Sequence, residues 1–327
     1  MGCKRLNLAT AKFFKNWMIE GVSKPLLAIS IAFIALVPAA FPRNIGGEVE
    51  TEKMVLATTS IICDFARNVA RDLWTVECLV PPGSSPHTYE PTPLDMVKAS
   101  RSSFILYNGF NLDAWVVKLL RGQNAEKLVR VTEGLEPYVV KIPDGPYAGK
   151  EDPHLWMDVK LAVKYVENIR DALIRHDPAN AEKYRSNAAT YIQELQNLDE
   201  WIRAEVSKLP VEKRVLVTQE NAFQYFSLAY GFRVGAYFYS IVTEIEPTPF
   251  DVIFVVNRVR ELGVCVYFVE ATLTNRMILT LVREVGGRLA GPLYVDGLGG
   301  ETSGAETYIE MMKTNVRTIV EELSRGC

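Results

Sequence analysis

The stretch Asp177–Pro210, DPANAEKYRSNAATYIQELQNLDEWIRAEVSKLP, decides the fold prediction because its pattern is that of one long helix. Asp177 can cap a helix whose first position is Pro178, and Pro210 ends the pattern. Apolar residues recur at spacings of three and four, as on one buried face of a helix. They are Tyr184, Ala188, Tyr191, Leu195, Leu198, Ile202, Val206 and Leu209. About thirty residues at 1.5 Å each would make a rod of roughly 45 Å.

On both sides of this helix, short β-rich runs alternate with helical stretches. Before it, the strand-like runs MVLATTS, TVECLVPP and SFILYNG alternate with the helical IICDFARNVARD and PLDMVKAS. After it, RVLVTQ, RVGAYFY and CVYFVE alternate with AFQYFSLAYG and PFDVIFVVNRVRELG. Such alternation is typical of parallel α/β layers. We therefore predict an α/β protein of two α/β lobes with parallel-type sheets, residues 52–176 and 210–327, joined by a single long rigid helix at 177–209.

Residues 1–40 have the pattern of an export signal. Five basic residues against one acidic residue give this region a net charge of +4, and the apolar run PLLAISIAFIALVPAAFP follows. A basic region, an apolar core and a small-residue end predict a secretory signal peptide cleaved after Ala39 or Ala40. The alternative is an uncleaved membrane anchor, which the short apolar run and Pro38 disfavour. No cysteine directly follows the run, so we expect a soluble periplasmic protein and not a lipid-tethered one.

Charge and cysteine content exclude some classes of protein. The chain has a net charge of −3, which leaves −7 on the body beyond the basic N-terminal region, and its charges are interspersed. No basic nucleic-acid surface is indicated. The cysteines show no CxxC spacing. We expect Cys265, in VCVYFVE, to be a small buried apolar residue. Cys63 and Cys78 can form a disulfide only if their strand and helix are neighbours, and separate thiols are the favoured interpretation.

Two of the three histidines follow a proline in a loop that is rich in rigid residues. His87 lies in LVPPGSSPHTYEPTP and His154 in GKEDPHLWMD. A loop held by prolines loses little entropy when it binds a ligand, which suits a preformed metal site. Each histidine taken alone is more simply a surface or hydrogen-bonded residue, but two such loops in a chain with three histidines favour a site. We expect the third, His176, to be structural.

Two carboxylates also follow predicted strands. Glu220 comes after RVLVTQ and Asp296 lies in GPLYVDGLGG. Open α/β sheets bind ligands at the carboxyl ends of their strands. Alternatively, Glu220 is a first-turn carboxylate of a helix capped by Asn221, and Asp296 is an ordinary turn residue. Two imidazoles and two carboxylates at four strand ends would make a closed site for a divalent cation.

Six segments in order make the chain resemble the cluster A-I (cluster 9) solute-binding proteins of manganese, zinc and iron ABC importers. The resemblance covers about residues 52–325. The segments are ATTSIICDFARNVA, LVPPGSSPHTYEPTPLDMVKASRSSFILYNGFNLDAW, EDPHLWMD, LVTQENAFQYFSLAYGF, VYFVEATLTNRMI and YVDGLG with TYIEMMKTNVRTIVEEL. Six ordered motifs are a specific match, which a lone DPH would not be.

The resemblance implies one divalent metal ion held between the lobes as transported cargo. The matching positions are His87 and His154 from the first lobe and Glu220 and Asp296 from the second. It also implies a partner, the cognate ABC permease of the inner membrane with its cytoplasmic ATPase. We expect a monomer that binds no nucleic acid and catalyses no reaction.

The ligand set favours Mn2+ over Zn2+ or Fe2+. Family members that similarly pair two histidines with one glutamate and one aspartate tend to be manganese proteins, whereas a third histidine and a histidine-rich loop tend to mark zinc proteins. Carboxylate oxygens also suit hard Mn2+, although affinity rises toward zinc at almost any N/O site. The rival hypotheses are a metal-dependent envelope hydrolase, for which no HExxH motif is present, and a surface adhesion module.

Overall fold

The first half of the chain builds one parallel sheet. The computed structural model describes residues 53–120, 125–144, 148–239 and 247–327, so the predicted signal peptide at 1–40 lies outside the described residues. The strand order is β2-β1-β3-β4, and every pair is parallel. The strands are β1 Met54–Ala57, β2 Thr75–Cys78, β3 Phe104–Tyr107 and β4 Leu128–Arg130. Because β1 is buried throughout, it needs apolar residues on both faces, as in other parallel sheets.

In the described residues, three α-helices lie between these strands. They are α1 Ser60–Ala70, α2 Pro93–Arg101 and α3 Trp115–Leu119. Thr59 caps α1 by accepting a hydrogen bond from the backbone amide of Ile62. Thr92 and Asp95 form a reciprocal capping box at α2. These caps satisfy amides that a helix leaves free at its start, and so fix where the loops after β1 and β2 end.

The predicted long helix is present, and a second helix packs against it. Helix α4 spans Val159–His176 and α5 spans Ala181–Ser207, with a one-turn 3-10 helix at Pro178–Asn180 between them. Asp177 does not cap the backbone; its carboxylate accepts hydrogen bonds from Lys53, Asn180 and Tyr184. Burial alone would raise the pKa of Asp177, but these three donors lower it to about 2.

The second half of the chain has two pairs of parallel strands. Strand β5 pairs with β6, and β7 pairs with β8. The α/β prediction with parallel sheets and a long helix is therefore confirmed, while the lobe boundaries at 52–176, 177–209 and 210–327 stay a prediction. The remaining elements are β5 Val215–Val217, α6 Gln224–Tyr230, β6 Arg233–Ala236, α7 Pro249–Leu262, β7 Val266–Glu270, α8 Arg276–Val285, β8 Arg288–Leu293 and α9 Tyr308–Arg325. Within the described ranges, no helix is both long and apolar enough to cross a membrane.

Hydrogen bonds between side chains and backbone connect the segment after β5 to the end of β7. The backbone amide of Glu270 donates to Oε1 of Gln219 at 2.6 Å. In return, Oε1 of Glu270 accepts from the amides of Gln219 at 3.0 Å and Glu220 at 2.8 Å. Burial raises the pKa of Glu270 to about 8, although these two amides favour its charged form. The carboxyl end of β5, where Glu220 lies, is thus fixed from the neighbouring strand.

Two disulfides differ from the cysteine predictions. Cys63 and Cys78 are bonded because α1 and β2, which carry them, are neighbours; the expectation of separate thiols was wrong. Cys265 is also not a simple core residue, since it precedes β7 and is bonded to Cys327. Helix α9 packs along β8 and α5 and so returns the C-terminus to the start of β7. The two cysteines are 62 residues apart in the sequence, so the local sequence pattern could not predict this pairing.

Breaking the Cys265–Cys327 disulfide should destabilise the protein. Replacing both residues by serine is expected to lower the free energy of unfolding by about 2–4 kcal/mol, because the cross-link restricts the unfolded chain. Urea denaturation of the oxidised parent and the double variant measures the difference. If the two proteins unfold at the same urea concentration, the cross-link does not form in the folded protein.

Candidate metal centre

His87 is positioned by the loop that follows β2. This loop continues the parallel ladder for two residues and then turns, and the indole nitrogen of Trp115 holds it by donating to the carbonyl of Pro86 at 3.0 Å. The backbone amide of His87 donates to Oγ of Ser85 at 3.3 Å. The side chain is 4% exposed, so the imidazole faces inward from a surface loop.

His154 is fully buried and is oriented by a carboxylate two residues earlier. Oδ1 of Asp152 accepts from the backbone amide of His154 at 3.0 Å and lies 2.7 Å from its Nδ1. A carboxylate only accepts, so Nδ1 carries a proton, which leaves Nε2 as the ring atom that can bind a metal ion. Nε2 of Gln224 donates to Oδ2 of Asp152 at 2.7 Å, and the hydroxyl of Tyr225 donates to the Asp152 carbonyl at 2.8 Å. Helix α6 therefore holds in place the loop that carries Asp152 and His154.

Glu220 lies just beyond β5 and has no exposed surface. It still pairs with Tyr239 across an isolated parallel bridge, and the next amide, of Asn221, donates to the Tyr239 carbonyl at 2.9 Å. These contacts hold Glu220 and Asn221 beside Tyr239, and α6 begins only at Gln224. The prediction that Asn221 caps this helix is wrong, because Phe223 takes the cap position and no side chain caps it.

Asp296 follows β8 and meets the first half of the chain. Its Oδ2 accepts from the hydroxyl of Ser85 at 2.7 Å, so one serine contacts both the His87 backbone and this carboxylate. Nearby, the indole nitrogen of Trp156 donates to the carbonyl of Val295 at 3.0 Å. These two contacts hold Oδ1 of Asp296 toward the histidines.

The structure brings all four predicted residues together. Nε2 of His87 lies 3.3 Å from Nε2 of His154 and 3.6 Å from both Oε1 of Glu220 and Oδ1 of Asp296. Nε2 of His154 lies 3.8 Å from Oε1 of Glu220 and 3.5 Å from Oδ1 of Asp296. A regular tetrahedron with edges of this length has its centre about 2.2 Å from each corner, close to metal–nitrogen and metal–oxygen bond lengths. The ligand atoms of all four residues lie within 4.8 Å of one another. The spacing fits a divalent transition-metal ion.

The pKa values of the two histidines in the cluster shift in opposite directions. Burial lowers the pKa of His87 to about 4, against the opposing charge of Asp296. Burial also disfavours protonated His154, but Asp152, Asp296 and Glu220 outweigh it and raise that pKa well above its usual value. Burial by itself would raise the pKa of Asp296, but the two histidines and the hydrogen bond from Ser85 outweigh burial and lower this pKa. Two buried carboxylates without a cation are costly, which a dication would relieve.

His176 does not join this cluster. Its ring stacks on that of Phe104 with centroids 4.3 Å apart and an interplanar angle of 16°, at the end of α4. The sequence interpretation missed Asp152, Ser85 and Gln224: Asp152, held by Gln224, orients His154, and Ser85 contacts Asp296 and the backbone of His87. Only Asp152 carried a signal, its position two residues before His154 in EDPH.

Comparisons with known proteins agree with this geometry. Residues 55–322 match the family described as ZnuA, zinc-uptake complex component A, periplasmic. The chain is 37% identical to the iron-binding protein YfeA of Yersinia pestis, over 93% of this chain and 99% of that protein. It is 38% identical to the manganese-binding lipoprotein MntA of Halalkalibacterium halodurans, over 93% of this chain and all of that protein.

A solved structure shares the fold. It is the Mn-bound periplasmic metal-binding protein of Candidatus Liberibacter asiaticus, 31% identical, with a TM-score of 0.73 over 83% of this chain and 99% of that one. The residues that match the family model, 55–322, include all four side chains of the cluster. The chain therefore belongs to the ZnuA family, the substrate-binding components of metal ABC transporters.

Proposed function

We propose that this chain captures one Mn2+ ion in the periplasm and delivers it to the cognate inner-membrane permease with its cytoplasmic ATPase. The ion is cargo, and the chain acts as a monomer without a catalytic step. The observation that carries the proposal is the convergence of four ligand atoms, all within 4.8 Å of one another, from His87, His154, Glu220 and Asp296. Fe2+ and Zn2+ are the alternative cargoes.

The donor set supports a hard divalent ion. Glu220 and Asp296 supply two negative charges that balance a dication, and the two imidazoles supply nitrogen donors. No thiolate belongs to the cluster, so soft-metal chemistry has no support there. The names of the relatives from Yersinia pestis and Halalkalibacterium halodurans, iron-binding and manganese-binding, agree with this donor set.

Elemental analysis decides which ion is carried. Protein recovered from its native envelope without added metal should contain about one Mn per chain. One Zn or one Fe per chain would replace Mn2+ as the cargo, and the absence of any transition metal would contradict metal capture. In purified protein Zn2+ should still bind tightly, because affinity at such sites rises toward zinc. The envelope measurement therefore counts for more than a competition in vitro.

Asp152→Asn should weaken Mn2+ binding by about 10–100-fold, the usual cost of removing a carboxylate that orients a ligand histidine. The substitution keeps the shape of the side chain but removes the charge beside Nδ1 of His154. Isothermal titration with Mn2+ measures the change. Asp171→Asn, on the exposed surface of α4, is the matched control and should leave the affinity unchanged. Equal affinities for the two variants would show that Asp152 does not orient the ligand.

A further inference from the structure

Residues 296–298, which follow β8, are attached to the first half of the chain by contacts other than those of the Asp296 side chain. The backbone amide of Leu298 donates to Oγ of Ser60, the first residue of α1, at 2.9 Å. Ser60 is 2% exposed and Leu298 is 3% exposed, so this hydrogen bond is shielded from water. We call these residues the 296–298 segment. Because the segment carries Asp296, its attachment bears on how an ion is held in the cluster.

A turn in the loop before His87 pairs with the other backbone group of Leu298. The amide of Gly83 donates to the carbonyl of Leu298 at 2.9 Å. The amide of Ser84 donates to the carbonyl of Pro81 at 3.2 Å, and Gly83 has a φ of +77°. A proline followed by a glycine with positive φ is the pattern of a type II turn, and the sequence PPGS supplies it. Both backbone groups of Leu298 are therefore bonded to the first half.

Gly297 allows the segment to approach the first half closely. A Cβ atom at this position would lie 3.1 Å from Oγ of Ser60 and 3.3 Å from the carbonyl oxygen of Ser84, closer than the 3.4–4 Å of ordinary van der Waals contact. Both neighbours belong to the first half, so a side chain here would push the segment away from it. Gly297 does not have a positive φ, so alanine would add this contact without backbone strain.

The arrangement of the cluster makes this attachment relevant to release of the ion. The four side chains of the metal cluster are at most 4% exposed, so an ion among them would be shut off from solvent. Release therefore requires a segment that carries a ligand to move. The 296–298 segment can move away from the first half only when the hydrogen bonds from Leu298 to Ser60 and from Gly83 to Leu298 break.

We propose that Ser60 is a positioning residue of the metal site, which holds the 296–298 segment on the first half and thereby slows release of the ion. This inference rests on the proposed function, since it concerns an ion that leaves the cluster. Ser60 is not one of the four residues of the cluster; it acts through Leu298, two residues after Asp296. Gly297 belongs to the same contact, because a Cβ atom there would press on Ser60.

Stopped-flow release of Mn2+ into an excess of a chromogenic chelator tests this role. Ser60→Ala should release Mn2+ at least about five-fold faster than the parent, because the buried amide of Leu298 loses its partner. The association rate should stay within about two-fold, since changes in affinity among variants of one site lie mostly in dissociation. The matched control is Ser102→Ala, also 2% exposed, whose Oγ donates to the carbonyl of Ala99. The control should release Mn2+ like the parent.

Gly297→Ala tests the same contact without deleting an atom. It should also release Mn2+ at least about five-fold faster, because the added Cβ overpacks the contact with Ser60 and Ser84. Gly300→Ala is its matched control, since a Cβ atom there meets nothing within 4 Å. Because both substitutions act on one contact, the double variant Ser60→Ala, Gly297→Ala should release Mn2+ more slowly than the product of the two single effects predicts.

The split between release and association separates positioning from damage to the fold. Each variant should bind one Mn2+ per chain, and if Ser60→Ala does not fold, Gly297→Ala and its control decide. Unchanged release in the Ser60 and Gly297 variants would overturn the proposal. So would the same acceleration in the controls, a change confined to association, or single effects that multiply in the double variant. A parent that binds no Mn2+ would instead overturn the proposed function.

Discussion

Glu220→Gln is expected to lower the affinity for Mn2+ by more than about 100-fold, because loss of a charged ligand should exceed the 10–100-fold cost of a lost outer contact. Glutamine keeps the size of the side chain, so its fit at the end of β5 is retained. What disappears is one of the two negative charges that balance the dication. The amides of Gln219 and Glu220 still bind Glu270, so the surrounding backbone is held as before.

Titration with Mn2+, followed by calorimetry, measures the effect of this substitution. Glu133→Gln is the matched control, since the Glu133 side chain is 71% exposed and, among the described residues, forms an ion pair with Arg130, away from the cluster. The control should bind like the parent. If Glu220→Gln binds Mn2+ within a few-fold of the parent, Glu220 is not a ligand and the manganese preference loses its main support.

Mn2+ should stabilise the folded protein strongly. At a free concentration 1,000 times the dissociation constant, binding to the folded state alone adds about 4 kcal/mol to the free energy of unfolding. For a folded body of this size the melting temperature should rise by about 7 °C. The physical reason is the cluster itself, in which Glu220 and Asp296 are buried close together with Glu270 nearby.

Thermal unfolding with Mn2+, and again after a chelator, measures this stabilisation. The shift should vanish with the chelator, and Glu220→Gln should show little of it at the same Mn2+ concentration. A rise of the same size in that variant would place the stabilising ion elsewhere on the chain. A parent without any shift would contradict a folded-state metal site.

The sequence predicted the parts of the fold that follow from periodicity. Apolar residues three and four positions apart predicted α5, and the alternation of strand-like and helical segments predicted the parallel α/β layers. The structure contains both. It also placed His87, His154, Glu220 and Asp296 at loops and strand ends, and the structure brings their ligand atoms within 4.8 Å. Their role as metal ligands stays a prediction until metal binding is measured.

What the sequence did not predict depends on contacts between distant segments. Asn221 is of a residue type that often caps helices, but its amide is hydrogen-bonded to the Tyr239 carbonyl and the helix starts three residues later. The residues around Cys265 predict a buried core position, but in the structure α9 brings Cys327 beside it and the two cysteines are bonded. Gln224, on α6, supports His154 only because this helix packs beside the EDPH loop. Local pattern carries no information about such pairs.

The central claim is that these four side chains hold one divalent ion, and anomalous X-ray diffraction at the manganese edge tests it most directly. Crystals grown with Mn2+ should show one strong anomalous peak per chain, enclosed by Nε2 of His87, Nε2 of His154 and the carboxylates of Glu220 and Asp296. A peak bound by other residues, or none at this cluster in crystals that contain Mn2+, would contradict the account.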